Sequence, residues 1–502
     1  MTITQTSAET GTEPDSGIGF AADAEASAAT STETSETTLV ETPDEIVLPV
    51  RQGPSPHRNR LFGRTFMKVH GAGAPSTTRQ AEVLNTAIIG SPTDERGVVI
   101  GEDRVSGAMV THDQFTAYSV GRITSPNVCV LGMIGVGKSS LIKTCYVERP
   151  LMLRGRRAVV IDKKARDGEG EYAELTRLFG SEPYRFDPDD PSATCMNVLD
   201  PVILAGGGRA AHRRVLSALA ELAGNGPLSE WHEKALDVGY QAVMSTFEGA
   251  GRVPVMPDLL EHFAGVVDAD VFRGLRSATL DKIEEAAWSV RLRFERLLAD
   301  DLAGMFDRET SRHVRLQPKL TTFDVSALPE DGPATAMVML LANSWLTGLL
   351  TRDRGWVTNF VAEEGWHLLG GPGGKVIRAK SKLSRGVGLS IVAAIHHISD
   401  VPPGSDAIAM IKEAQTIHLF RQEHDDDIAD CVRSFNLEAS NAHALASLPQ
   451  GDHLLKVGNH REIRVRHVRT TREAQFTNTD SGMVAARDTT RGTTLGTSGR
   501  AA

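Results

Sequence analysis

The chain has 502 residues, enough for two or three domains, and its 40% apolar and 24% charged content is that of an ordinary globular protein with a sizeable core. The net charge of −10 comes from residues 1–50, which hold ten of the 64 acids and none of the 54 bases. The remainder is neutral, so charge argues neither for nor against a nucleic-acid partner.

Residues 1–55, rich in Thr, Ser, Ala, Glu and Gly, read as a disordered acidic tail. They lack the basic and apolar regions of a secretory signal. With four scattered cysteines and no CxxC spacing, this predicts a reduced, cytosolic chain without a zinc site. Residues 56–126 read as a small β-rich lead-in, with a glycine-bounded strand at 97–101. From 127 to 202 the pattern is strand (127–131), glycine loop, helix (from Ser139), then a buried strand (158–162) ending in an acid. That is a βαβ unit with a right-handed crossover.

Residues 203–315 change character. Segments 213–222, 231–247 and 281–298 carry apolar residues at three- and four-residue spacing and predict an inserted all-helical subdomain. Strands return over 316–475, at 320–325, 357–363, 389–395 and 417–420. A hairpin follows, 454–457 and 463–468, turning at Gly458-Asn459-His460-Arg461. The most apolar run, 334–351, carries Asn343, Ser344 and several Thr; it reads as a buried crossover helix rather than a membrane span. Residues 476–502, rich in Thr, Gly and Ser, read as a second disordered tail. The predicted class is α/β, with a mostly parallel sheet, a helical insertion and disordered termini.

Gly132-Met133-Ile134-Gly135-Val136-Gly137-Lys138-Ser139 meets the pattern G-x-x-x-x-G-K-[ST]. Glycines let the backbone curl so that N–H groups point inward at phosphate oxygens, and the following helix adds its positive end. Lys138 is placed to reach the β- and γ-phosphates, the Ser139 hydroxyl to ligate Mg²⁺, and Gly135, Val136 and Ser140 to complete the cradle. The competing reading is a glycine-rich turn. A second acidic site is needed for hydrolysis, and Phe360-Val361-Ala362-Glu363-Glu364-Gly365-Trp366 supplies a strand ending in two carboxylates. Neighbouring strand side chains point to opposite faces, so one carboxylate can face Mg²⁺ while the other meets the attacking water. The competing reading is a solvated acidic loop.

Several separated motifs, in order, resemble the conjugative-transfer and type IV secretion ATPases of the VirB/TraC type, within the HerA/FtsK group of RecA-like motors. The resemblance covers about 97–470. Gly101-Glu102-Asp103 before the phosphate loop resembles that family's lead-in. Val160-Ile161-Asp162 with Glu171-Tyr172 resembles its D-x-K-x-E-Y strand, here with an insertion. Asn197 to Pro201 resembles N-x-x-x-P, Phe323-Asp324-Val325-Ser326 resembles F-D-x-S, Glu363 to Leu369 resembles D-E-A-W-x-L-L, and Ala394 to Asp400 resembles A-T-Q-x-x-S-D.

The resemblance implies a RecA-like core that hydrolyses ATP with Mg²⁺. Glu363 takes the place of an Asp that steadies the metal, and Glu364 is the general base. His396 stands where a Gln usually senses the γ-phosphate. It also implies a homo-oligomer, a hexamer, working at the cytoplasmic face of a membrane-embedded secretion or transfer complex, with an arginine supplied by the neighbouring subunit; Arg385 and Arg421 are the candidates. Three features depart from the family. Glu363 is a methylene longer than Asp, His396 can titrate near neutrality, and the domain before the phosphate loop is much reduced, which puts docking in question. The basic clusters at Arg154-Arg156-Arg157, Arg209-Arg213-Arg214 and Arg461-Arg464-Arg466-Arg469 fit a DNA-lined pore or solvated surface. Two other uses stay open: a DNA translocase or coupling protein of the FtsK/HerA type, and a nucleotide-binding assembly scaffold.

Overall fold

A computed structural model of the chain describes residues 96–477 except 225, 300–301, 330–331, 354, 364–371 and 402–403, and omits the side chains of 372, 379–385 and 407. The predicted tails therefore lie outside the described residues, apart from 476–477 at the end of the last helix. So does Glu364.

Thirteen strands are present among the described residues: β1 (Val98–Asp103), β2 (Met109–His112), β3 (Val128–Leu131), β4 (Arg156–Asp162), β5 (Ala165–Arg166), β6 (Glu169–Gly170), β7 (Tyr184–Arg185), β8 (Leu320–Asp324), β9 (Val357–Ala362), β10 (Leu389–Ile395), β11 (Thr416–Leu419), β12 (Asp452–Val457) and β13 (Ile463–His467). β5 and β6 make a small separate hairpin, and the other eleven form one sheet in the order β2-β1-β13-β12-β11-β3-β10-β9-β4-β8-β7. From β11 to β7 every pair is parallel. From β11 back to β2 every pair is antiparallel. The predicted hairpin is the β12–β13 pair, and β1 joins the sheet beside it.

Strands covered on both faces must be apolar throughout. β3 and β10 are buried at every position. The antiparallel strand β13 instead alternates, with Ile463 and Val465 buried and Arg464 and Arg466 more exposed. Those arginines face acids of the same chain: Arg466 pairs with Glu102 on β1, and Arg464 lies 3.5 Å from Asp452. Arg461 reaches Glu438 at 2.5 Å, Arg156 reaches Asp113 at 2.6 Å and Arg157 reaches Asp353 at 2.7 Å, so much of the first and last basic clusters is matched by internal charge, and in the middle one Arg213 pairs with Asp237.

The all-helical subdomain is inserted between β7 and β8. It comprises helices Pro201–Ala205, Gly208–Ala223, Glu230–Thr246, Met256–Phe263 and Ser277–Glu295. Its start explains the N-x-x-x-P element. The Asp200 carboxylate accepts the Val202 N–H at 2.8 Å, and Pro201 occupies the first turn, where its missing donor costs nothing. The apolar run forms helix Ala334–Leu350, buried along almost all its length between sheet and insertion. Among the described residues no helix is long and apolar enough to cross a membrane.

The parallel register aligns the strand ends. Leu131 sits opposite Ile395 and Leu419, and Asp162 opposite Asp324. The segments after β3, β4, β9, β10 and β11 therefore leave along one edge of the sheet, where ligands of open α/β sheets bind.

Candidate functional site

β3 ends at Gly132, which approaches the next strand too closely for any side chain: a Cβ there would lie 2.5 Å from Phe420 Cβ. The chain curls through Gly137, at φ 110°, into a helix spanning 138–151, whose middle, Ile142–Glu148, is wound as a π-helix. The loop is braced from outside. Gly451 N–H donates to Val136 O at 2.9 Å, and Gln450 Nε2 donates to Gly135 O at 2.9 Å. The first N–H groups of the helix have no acceptor within it, so the curled loop presents donors and a positive helix end at one point. Ser140 Oγ is buried there without a hydrogen-bond partner among the described residues.

The Lys138 side chain is buried and folds back over the loop. Its ammonium donates to Gly132 O and to Met133 O at 2.6 Å, and meets His396 Nδ1 at 3.0 Å. His396 arrives because β10 lies beside β3 and its last carbonyl, on Ile395, accepts the Gly132 N–H at 3.3 Å. Nδ1 facing an ammonium must act as acceptor, so the ring proton of neutral His396 sits on Nε2.

β9 brings Glu363 to the same place from two strands away. Ser139 Oγ donates to Glu363 Oε2 at 2.6 Å, and Tyr172 donates its hydroxyl to Glu363 Oε1. Lys164 Nζ lies 3.6 Å from Glu363 Oε2 and 3.3 Å from Ser139 Oγ. Burial pushes the Glu363 carboxyl up, but Lys164, Lys143 and the hydrogen bonds from Ser139 and Tyr172 outweigh it and hold the group below its ordinary value. Lys143, four residues after Ser139 and so on the same helix face, pairs with Glu171 at 2.9 Å and lies over the Tyr172 ring. Behind them Asp162 accepts the Tyr172 N–H at 2.7 Å. Burial drives its carboxyl well above the ordinary range; the Tyr172 amide opposes this, and neighbouring Asp324 adds to it.

The described structure therefore brings together Gly132, Gly135, Val136, Gly137, Lys138, Ser139, Ser140, Glu363 and His396. Glu364, read as the general base, directly follows Glu363 in the chain and lies outside the described residues. Arg385 falls in helix Pro372–Val387 with its side chain undescribed. Arg421 follows β11 on this chain's own loop; its carbonyl accepts the Met133 N–H at 3.3 Å. Lys143, Lys164 and Tyr172 had no assigned role in the sequence. The D-x-K-x-E-Y pattern marks Tyr172, but contact with Glu363 depends on β9 lying next to β4.

A hydroxyl and a carboxylate in contact, both hard oxygen donors, suit a Mg²⁺ ion, and the loop amides suit phosphate.

No protein-family model matches the chain, and no curated protein matches it. Among solved structures it is similar to VirB4 of Thermoanaerobacter pseudethanolicus, at 21% identity over 77% of this chain and 100% of that one, with a TM-score of 0.62. It also aligns with the plasmid coupling protein TrwB in complex with ADP and Mg²⁺, at 15% identity, over 80% of this chain and 96% of that one, with a TM-score of 0.48. With the genome packaging NTPase B204 from Sulfolobus turreted icosahedral virus 2 the values are 10%, 68%, 98% and 0.33. The VirB4 likeness shows the fold: an α/β architecture built on a large, mostly parallel sheet covered by helices.

Proposed function

From this shared fold, we propose that the chain is a nucleoside triphosphate hydrolase, specifically a Mg²⁺-dependent ATPase, and the motor of a conjugative-transfer or type IV secretion complex. The observation that carries the reading is the 2.6 Å contact between Ser139 Oγ and Glu363 Oε2, beside a glycine loop closed by Lys138. Two segments 224 residues apart in sequence meet where a phosphate–metal pair would sit.

Lys138 leaves the loop carbonyls for the β- and γ-phosphates when nucleotide enters, and loop amides hold the remaining phosphate charge. Ser139 and Glu363 would hold Mg²⁺, which would neutralise charge on the phosphate oxygens. Glu364, one residue on, orients and deprotonates the attacking water. His396, already against Lys138, is placed to feel the lysine leave. The chain acts as a homo-hexamer at the cytoplasmic face of a membrane, and Arg385 is the arginine it supplies to its neighbour.

Turnover of ATP by the purified full-length chain, with and without DNA, tests this. Wild type should hydrolyse ATP only with Mg²⁺. Lys138→Ala should lose nucleotide affinity, and Glu364→Gln should bind ATP and stall. Absence of hydrolysis by the wild type, with or without DNA, or wild-type turnover in Glu364→Gln, would overturn the mechanism. Strong stimulation by DNA would move the assignment to a DNA translocase.

A further inference from the structure

The metal site contains a cation of its own. Glu363 is almost fully buried, and a charged carboxylate there needs a counter-charge. Lys143 is committed to Glu171 at 2.9 Å. Lys164 approaches instead, with Nζ 3.3 Å from Ser139 Oγ and 3.6 Å from Glu363 Oε2, the two oxygens that themselves lie 2.6 Å apart. These are the oxygens assigned above to Mg²⁺.

We infer that Lys164 is an internal counter-ion of the metal site, whose ammonium stands in for the divalent ion and must withdraw before a metal–nucleotide complex can settle on Ser139 and Glu363. The inference rests on the nucleotide-hydrolase reading and names a regulator of that same site.

Two observations favour a displaceable cation over a fixed structural ion pair. The Lys164 contacts with Ser139 and Glu363 are longer than the roughly 2.7–2.9 Å of a charge-assisted bond, whereas Ser139–Glu363 is short. The Lys164 side chain is 34% exposed against 5% for Glu363, so its head can pass into water on a flexible four-carbon stem. Its backbone is nevertheless anchored, because Lys164 O accepts the Glu171 N–H at 3.0 Å ahead of the β5–β6 hairpin. An ammonium and a divalent cation sharing two oxygens would repel strongly, so occupancy by one excludes the other. In the metal-free state Lys164 also shields an incoming polyphosphate from the Glu363 charge.

The test uses the full chain, the fluorescent nucleotide mant-ADP, and Mg²⁺ as titrant. Lys164→Met keeps the length and removes the charge; Lys164→Arg keeps the charge. With mant-ADP bound, the Mg²⁺ half-saturation concentration should fall roughly tenfold in Lys164→Met and stay near wild type in Lys164→Arg. In EDTA, mant-ADP should bind Lys164→Met more weakly than wild type, because the bare carboxylate then faces the diphosphate. A lysine with a purely structural role would not tighten metal binding while loosening metal-free nucleotide. An unchanged or raised Mg²⁺ half-saturation in Lys164→Met, with mant-ADP still binding, overturns the inference alone. Failure of the wild-type chain to bind mant-ADP at any Mg²⁺ concentration overturns the nucleotide reading and the inference with it.

Discussion

Replacing His453 with leucine should flatten the acid limb of the protein's stability curve. His453 lies on β12, fully buried, with its ring 4.8 Å from the His418 ring and 5.0 Å from the Phe420 ring, and neither ring nitrogen finds a well-formed hydrogen bond among the described residues. Burial pushes its pKa down to about 3, against a smaller raising contribution from the Gly451 backbone, whereas an unfolded histidine titrates near about 6.5. The folded value lies below the unfolded one, so protons favour the unfolded chain. Its contribution is intact above about pH 6.5 and is lost as pH falls toward 3. Each pH unit in that window costs about 1.4 kcal/mol, so from pH 6.5 to 5.0 this one ring costs about 2 kcal/mol.

Leucine is of similar size and has no proton site, so His453→Leu should lose about 2 kcal/mol less than wild type over the same interval. At pH 7.5 it should be at least as stable, since a poorly satisfied buried ring has been removed. Chemical denaturation followed by tryptophan fluorescence at a series of pH values measures both. Asp162, whose folded pKa is raised, shifts stability the opposite way as pH falls, but it is common to both proteins and cancels in the difference. Stability curves that run parallel for the two proteins would refute the argument.

Three further outcomes follow from the site and the core around it. Lys138→Ala should weaken mant-ADP binding by roughly a hundredfold or more, measured by fluorescence titration, because the loop loses the ammonium proposed to bind the phosphates. Lys143→Met should destabilise the fold by about 2–4 kcal/mol in denaturant titration, since Glu171, 10% exposed, loses its 2.9 Å partner and leaves a buried charge behind. Leu340→Ala, at a fully buried position of helix Ala334–Leu350, should cost about 2–5 kcal/mol in the same assay through the cavity it opens.

Much of the core was legible because its signals are local. The apolar run before Gly132, the glycine spacing and the helix after Lys138 each follow from backbone sterics within a dozen residues. Apolar runs that match β4, β8, β9 and β10 had to be buried strands, and three- and four-residue spacing marked the insertion. Strand order was not legible, since a buried strand carries no label for its neighbours. Only the observed order puts β10 beside β3 and β9 beside β4, and so His396 against Lys138 and Tyr172 against Glu363. The two-residue strands β5, β6 and β7 leave no periodicity to find. Four histidines (His112, His418, His453 and His467) come from β2, β11, β12 and β13, which the sheet order gathers into its antiparallel part although β2 and β11 lie far from each other in sequence, as the contact between His112 and Thr416, 304 residues apart, shows. His418 and His467 meet the π-helical stretch through Tyr146 at 2.6 Å and Thr144 at 2.8 Å. Nothing in their sequence spacing announces that grouping.

The most direct test of the proposed site is a crystal grown with a non-hydrolysable ATP analogue and Mn²⁺, with the ion located by its anomalous scattering. An ion within about 2.3 Å of Ser139 Oγ, next to Glu363, with the γ-phosphate against the Lys138 ammonium, is the predicted result. Nucleotide bound elsewhere, or a metal with neither Ser139 nor Glu363 around it, would contradict the account.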